Sequence, residues 1–319
     1  MPGDGLTTLR WVEAVRTALA DGTAAASGSA GDAASVLGDA LSHPNSVALP
    51  AEAAALVSDA VSRGRAEIAN WYRDMSGFAL RLEGSGSTAF KEAGLPPDAG
   101  FQFAMQAGTL RATGSLRATY ESCSTARFLH GRTEVIRGAS PEAAAAARAF
   151  DGLSDSASLE SKQAVWQAVQ AATTAHRNFS ARCQDGQGID RHLTGLGLAL
   201  DLLTTPEPQL DEGPSASLDP AEREAATAFL RSPLLTSAAT WRLSTSNCGS
   251  QQTAYFGFGP VAEAGAGVGY FIRKQDLRAT VTSFADPAAP GVDAADIATA
   301  FSDAVAKLLA LGRAVNGRA

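Results

Sequence analysis

Four stretches of this sequence hold more hydroxyl, guanidinium and imidazole groups among apolar neighbours than packing alone requires. The first, "TYESCSTARFLHGRTE" (119–134), crowds Tyr120, Ser122, Arg132 and Thr133 into a short length, and "GIDRHLTGL" sets Asp190, Arg191 and His192 at the head of a helical pattern. "LSTSN" closes an apolar run with the hydroxyls of Ser244, Thr245 and Ser246, followed by Asn247, and "FGFGPV" threads Gly257 and Gly259 between aromatics. A planar guanidinium fork suits a carboxylate, and a hydroxyl at a strand end can donate to a developing oxyanion. Each stretch also has a plain reading: a buried loop satisfying its own backbone, a surface ion pair, turn chemistry, a bulge.

The elements that must position these groups follow from periodicity and caps. "GFALRLE" alternates Phe78, Leu80 and Leu82 as a strand, and "GSGS" breaks it. A helix is expected from Pro97 to about Arg111. Another opens with Ser140 as cap and Pro141 in its first turn. One long helix is expected from Leu159 to Cys183, closing near Gly186, then a helix over "DRHLTGLGLALDLL" and one over 220–231. "LRATYES", "ATWRLSTS", "TAYFGFG", "GVGYFIR" and "RATVTSF" read as strands, and an amphipathic helix spans about 293–312. A helix also starts near Pro50, after an Ala/Gly/Ser-rich stretch at 21–38. The order of elements predicts an α/β (α+β) fold, a mixed sheet covered by helices.

Composition narrows the function. A chain of 319 residues with 45% hydrophobic and 18% charged residues can bury a substantial core. Its net charge of −7 and lack of basic runs argue against nucleic acid as the main partner. Cys123, Cys183 and Cys248 form no disulfide framework and no zinc spacing, so no metal site is expected. No apolar run approaches a membrane span, and a cytoplasmic protein with reduced thiols is the expectation.

Together, and in this order, the four stretches resemble the signature blocks of the choline/carnitine acyltransferase family. "GSGSTAFKEAGLPPDA" is similar to that family's coenzyme A segment, and the resemblance runs from residue 3 to the last helix. It implies the C-terminal half of a two-domain enzyme with the chloramphenicol-acetyltransferase-like fold. Residues 1–48 would be the remnant of a first half and 49–319 the carnitine acyltransferase domain. The implied reaction is acyl transfer between coenzyme A and the hydroxyl of carnitine by direct attack, with coenzyme A as co-substrate and no tightly bound cofactor.

Residue by residue, the resemblance makes Arg191 the cation for carnitine's carboxylate, with Tyr120 and Thr133 as hydroxyl partners and Ser122 as a further carnitine contact. Choline has no carboxylate to bind, so carnitine is the favoured alcohol. Ser246 matches the oxyanion donor. Lys91, Asp98, Arg177 and Asn247 match coenzyme A contacts, with Ser87 standing where the family often has a second lysine and Asn247 where it often has glutamine. Phe256 falls where long-chain members carry a glycine that opens an acyl channel, which favours short acyl groups; a one-residue slip would put Gly257 there and reverse this.

Asp4, in "GDGLTTLRW", matches the acid that follows the family's catalytic histidine by four residues, which puts that histidine just before Met1. None of His43, His130, His176 and His192 is an evident substitute. A late start, a partner chain supplying the first half, or a non-catalytic remnant that binds carnitine or acyl-CoA would each account for this.

Overall fold

The computed structural model describes residues 55–56, 58–66, 75–204, 218–247, 253–284 and 293–317. Two compact units divide the chain, Met1–Asp74 with Ser250–Ala254, and Met75–Gly249 with Tyr255–Ala319. In the first, residues 58–66 are helical, as expected for the segment after Pro50. Asp4, His43 and the whole of 1–48 lie outside the described residues, as does Cys248. The following elements belong to the second unit.

Its centre is a mixed six-stranded sheet in the order β1-β6-β5-β4-β2-β3. The strands are β1 (Met75–Glu83), β2 (Thr119–Ser124), β3 (Thr133–Ile136), β4 (Leu243–Asn247), β5 (Ala266–Ile272) and β6 (Asp276–Phe284). The pairs β2/β4 and β4/β5 are parallel, and the other three are antiparallel. A parallel neighbour needs a long crossover. The chain between β2 and β4 meets that need with β3 and five helices, α3 (Pro141–Asp151), α4 (Leu159–Gln184), α5 (Asp190–Thr204), α6 (Pro220–Leu230) and α7 (Pro233–Ala239). Before it lie α1 (Ser87–Glu92) and α2 (Pro97–Thr113); α8 (Ala294–Val315) closes the unit.

Local chemistry sets the helix ends. Ser140 accepts from the Ala143 N–H, with Pro141 in the first turn, and Asp219 and Glu222 form a capping box on α6. Gly114 takes φ 71° and stops α2, a conformation that a side chain would strain. The core lies where α2 and α8 cover one face of the sheet. Phe101 stacks on Tyr270 at 3.7 Å and meets Phe301 edge-on at 5.0 Å, and Phe90, Met105, Ile297 and Leu308 are fully buried around them. Gly108 lets the two helices approach, because a Cβ there would stand 2.7 Å from the Phe301 backbone.

Four elements differ from the sequence reading, the first being the six-residue α1, which no side-chain cap marks. β3 and α7 form where the residues suggested a loop and a continuous approach to β4, and "TAYFGFG" is not a strand. Its part from Phe256 to Gly259 instead crosses the face of β5 that carries Gly267 and Gly269. A Cβ on Gly267 would lie 2.6 Å from the Phe258 carbonyl oxygen, one on Gly269 would strike that of Phe256, and Thr282 Oγ1 donates to the Phe258 oxygen at 2.6 Å. Alternating aromatics gave it a strand's pattern, but glycines in the strand beneath make it a layer over the sheet.

Candidate functional site

The register of β2 against β4 decides which side chains share a face. Tyr120 pairs with Ser244 and Glu121 with Thr245. Thr245 is bonded by Gln102 of α2, at 3.1 Å, so Glu121 and Thr245 face the helices. By alternation Tyr120, Ser122, Ser244 and Ser246 then line the opposite face. Ser246 pairs with Gly269, and Phe256 lies directly over that glycine. The structure thus brings Tyr120, Ser122, Ser246 and Phe256 onto one surface.

Arg191 reaches the same surface from α5. Its Nε donates to the Thr133 carbonyl oxygen at 2.9 Å, and its Nη2 donates to Thr133 Oγ1 at 2.9 Å and to Tyr120 Oη at 3.2 Å. Of the five guanidinium N–H groups, the two on Nη1 make no hydrogen bond among the described residues. The fork is therefore aimed by the hydroxyls expected to work with it.

Further residues, of which the sequence had singled out only Asp190, hold Arg191 in place. Buried Glu134 accepts through Oε1 from the backbone N–H of Arg191 at 3.3 Å and of Val135 at 2.7 Å, a carboxylate at the start of α5. Gly188 is required there, since a Cβ would strike the Glu134 side chain. Asp190 takes a two-pronged ion pair from Arg137, Nη2 to Oδ1 at 2.6 Å and Nε to Oδ2 at 3.0 Å. Arg137 in turn donates to the Ala238 carbonyl oxygen and lies 4.8 Å over the Trp241 ring, which meets Tyr120 edge-on at 5.8 Å. No spacing rule could have found these partners, because β3, α7 and the start of α5 meet only in the fold. A cavity of about 430 Å³ opens between Arg191, Trp241 and the apolar sides of α5 and α7.

Behind β2 and β4 lies a buried polar network. His176 of α4 and Glu121 are bonded at 2.7 Å, Tyr270 Oη donates to Asp98 at 2.8 Å, and Gln102 Nε2 donates to Thr245 and to Tyr270, each at 3.1 Å. Thr245 Oγ1 donates to the Tyr120 carbonyl oxygen at 3.2 Å, tying the network to the strand that carries the site. Burial pushes the Glu121 carboxyl up and the Asp98 charge adds to this, while His176 pulls it back. Burial alone would lower His176, but the hydrogen bond and charge of Glu121, helped by Asp98, outweigh it, and its pKa is raised. Asp98, Glu121 and His176 each bring one ligand atom within 4.8 Å of the others, with His176 Nε2 bonded to Glu121 and Asp98 Oδ1 to Tyr270. Burial lifts the Cys183 thiol to about 12, and Cys123 beside it is raised for the same reason, so both stay protonated at neutral pH.

The residues expected at coenzyme A are less gathered. Tyr270 links two of them, through its hydroxyl to Asp98 and through its backbone register to Asn247. Lys91 on α1 and Arg177 on α4 are exposed, and among the described residues no hydrogen bond or ion pair joins them to that pair.

The surface thus presents a guanidinium fork braced by hydroxyls, with a serine one strand away, the parts needed to hold a carboxylate near a developing oxyanion. Residues 1–302 match the Choline/Carnitine o-acyltransferase family. The chain is similar to the mitochondrial carnitine O-palmitoyltransferase 2 of Bos taurus, 33% identical over 205 residues, which cover 64% of this chain and 28% of the relative. The Homo sapiens protein of that name is 32% identical over 208 residues, 64% and 28% of the two chains. The carnitine O-acetyltransferase of Rattus norvegicus is 26% identical over 230 residues, 72% and 33%. The chain belongs to the choline/carnitine O-acyltransferase family. It spans about a third or less of the length of these relatives.

Proposed function

We propose that this chain supplies the carnitine-reading and oxyanion-holding part of a carnitine O-acyltransferase. The observation that carries this reading is the Arg191 fork, fixed by Thr133 and Tyr120 with Nη1 left open. Carnitine's carboxylate docks on Nη1, Ser122 contacts the same substrate, and the hydroxyl to be acylated lies toward Ser246. Ser246 donates to the oxygen that becomes negative as the hydroxyl attacks the thioester of acyl-CoA. Preorganised donors of this kind act most strongly on the transition state. Acyl-CoA enters by the end of β4 that carries Asn247, with Asp98 of α2 beside it through Tyr270 and with Lys91 and Arg177 reaching its phosphates. None of His130, His176 and His192 is assigned the proton transfer. His176 is bonded to Glu121 on the helix-covered side, away from Ser246.

The acyl group is short. Phe256 supports this, because its ring lies against Phe271 at 5.3 Å and covers Gly269 beside Ser246, where a longer chain would have to pass. The free thiols of Cys123 and Cys183 favour a reducing compartment, the cytoplasm. Among the described residues no helix is long and apolar enough to cross a membrane.

Calorimetric titration with carnitine and with choline tests the reading. Carnitine is expected to bind at least about tenfold more tightly, the effect of a charge-assisted hydrogen bond of about 1.5 kcal/mol. Equal affinity for the two would overturn it.

A further inference from the structure

A second concave surface lies at the other end of the parallel strands. Arg117 stands just before β2 and Arg242 just before β4, and backbone bonds join the residues next to them and tie Arg242 to β5. The Leu243 N–H donates to the Ala118 carbonyl oxygen at 3.2 Å, and the Ala266 N–H to the Arg242 carbonyl oxygen at 2.9 Å. Both side chains line a cavity of about 570 Å³ whose other walls carry Ser115, Thr236, Ser237 and Thr240. A third arginine in the wall, Arg231, is engaged by Asp201. Among the described residues the Arg117 side chain makes one long bond, from Nε to Thr113 Oγ1 at 3.4 Å. Among the described residues no carboxylate pairs with Arg117 or Arg242, and none lines the cavity. Burial and the neighbouring Arg242 charge both press the Arg117 pKa down.

Two like charges held together in a recess, in a protein of net charge −7, are unfavourable until an anion joins them. Each guanidinium offers a planar fork to oxygen acceptors, and the surrounding hydroxyls can donate to the same group. We propose that this cavity binds a small multivalent oxyanion, a phosphate or polycarboxylate, clamped between Arg117 and Arg242. The site is separate from the one assigned above. Arg242 and Ser246 are four residues apart on an extended strand, about 13 Å at about 3.3 Å per residue. The Asn247 end lies further still. Thr236 and Thr240 of α7 and the turn after it also line the cavity that reaches Arg191, so the two recesses share a wall.

The test is titration of the full chain with pyrophosphate and with citrate at low salt, read by calorimetry and thermal shift. A ligand that binds the folded state raises its melting temperature. Saturable binding is expected that weakens as salt is added, with pyrophosphate alone, citrate alone or both defining the ligand class. Arg117→Gln with Arg242→Gln should weaken binding at least about tenfold, as expected for losing charge-assisted contacts. Arg191→Gln should leave it unchanged, and so should Arg148→Gln, which removes a surface charge elsewhere. Removing the repulsion should not lower the melting temperature of the unliganded double variant. If that variant does not fold, Arg242→Gln alone, at an exposed position, should still weaken binding several-fold. No binding of either anion overturns the proposal. Undiminished affinity in the Arg117/Arg242 variant, or affinity lost instead in Arg191→Gln, overturns it equally.

Discussion

Replacing Arg191 with glutamine separates a structural arginine from one that reads a carboxylate. In the free protein its side-chain bonds, to Thr133 and Tyr120, are exposed. Contacts of that kind contribute about 1 kcal/mol or less to stability, so the melting temperature should barely move. Against carnitine the loss is of another size. The charge-assisted hydrogen bonds from Nη1 are worth about 1.5–3 kcal/mol, or about 10- to 150-fold in Kd. Arg191→Lys keeps the charge but not the fork, and should fall between the two, since an ammonium cannot bond Thr133 and Tyr120 and still present two parallel donors. Thr133→Val removes the Oγ1 acceptor that aims Nη2 and should cost about 0.5–1.5 kcal/mol, or about 2- to 10-fold. Calorimetry measures all three, with choline as control, because its weak binding should be indifferent to every change. Wild-type carnitine affinity in Arg191→Gln would refute the reasoning.

Three further outcomes follow from the same geometry. Ser246→Ala should lower kcat for acetyl transfer by about 10²- to 10³-fold with little change in KM, the signature of a lost oxyanion donor; an unchanged kcat would remove Ser246 from the chemistry. Phe256→Gly should raise the rate with palmitoyl-CoA relative to acetyl-CoA by about tenfold or more, since one methylene in a pocket already counts for about 1–3 kcal/mol. An unaltered ratio measured with both thioesters would mean that the acyl chain does not pass over Gly269. His176 holds its proton more tightly when folded than its ordinary 6.5, so its stabilisation is present below that value and fades as pH rises through the higher folded one. Glu121, raised from 4.5, acts in the same direction over a lower range. The melting temperature should therefore fall as pH rises above the ordinary histidine value of about 6.5, and His176→Gln should flatten that fall; parallel curves for the two proteins would show that the pair is not what titrates.

Much of the scaffold is readable from local rules, because caps and periodicity act within a few residues. Ser140 with Pro141 opens a helix where expected, and the run from Pro97 and the long stretch from Leu159 end within about two residues of expectation, which is the usual looseness of helix ends. The sheet's order is not local, since β4 and β2 are joined by more than a hundred residues and become neighbours only through packing. The strand-like "TAYFGFG" shows the limit, as its alternation is real but Gly267 and Gly269 of another segment decide that it lies over the sheet. At the site, the family resemblance singled out Arg191, Tyr120 and Thr133, and the structure joins them by hydrogen bonds. Glu134, Arg137 and Trp241 stayed hidden because their partners lie 57, 53 and 121 residues away in the chain, as the numbering of Arg191, Asp190 and Tyr120 shows. Of the coenzyme A set, only Asp98 and Asn247 are linked, through Tyr270. Lys91 and Arg177 are exposed, as such cations usually are, so packing gives no signal that would gather them.

The most direct measurement is a crystal structure of this protein with carnitine bound. The account requires the carboxylate within hydrogen-bonding distance of Arg191 Nη1, between Tyr120 and Thr133, with the substrate hydroxyl turned toward Ser246. A carboxylate seated elsewhere, for instance between Arg117 and Arg242, with the Arg191 fork left empty, would contradict it.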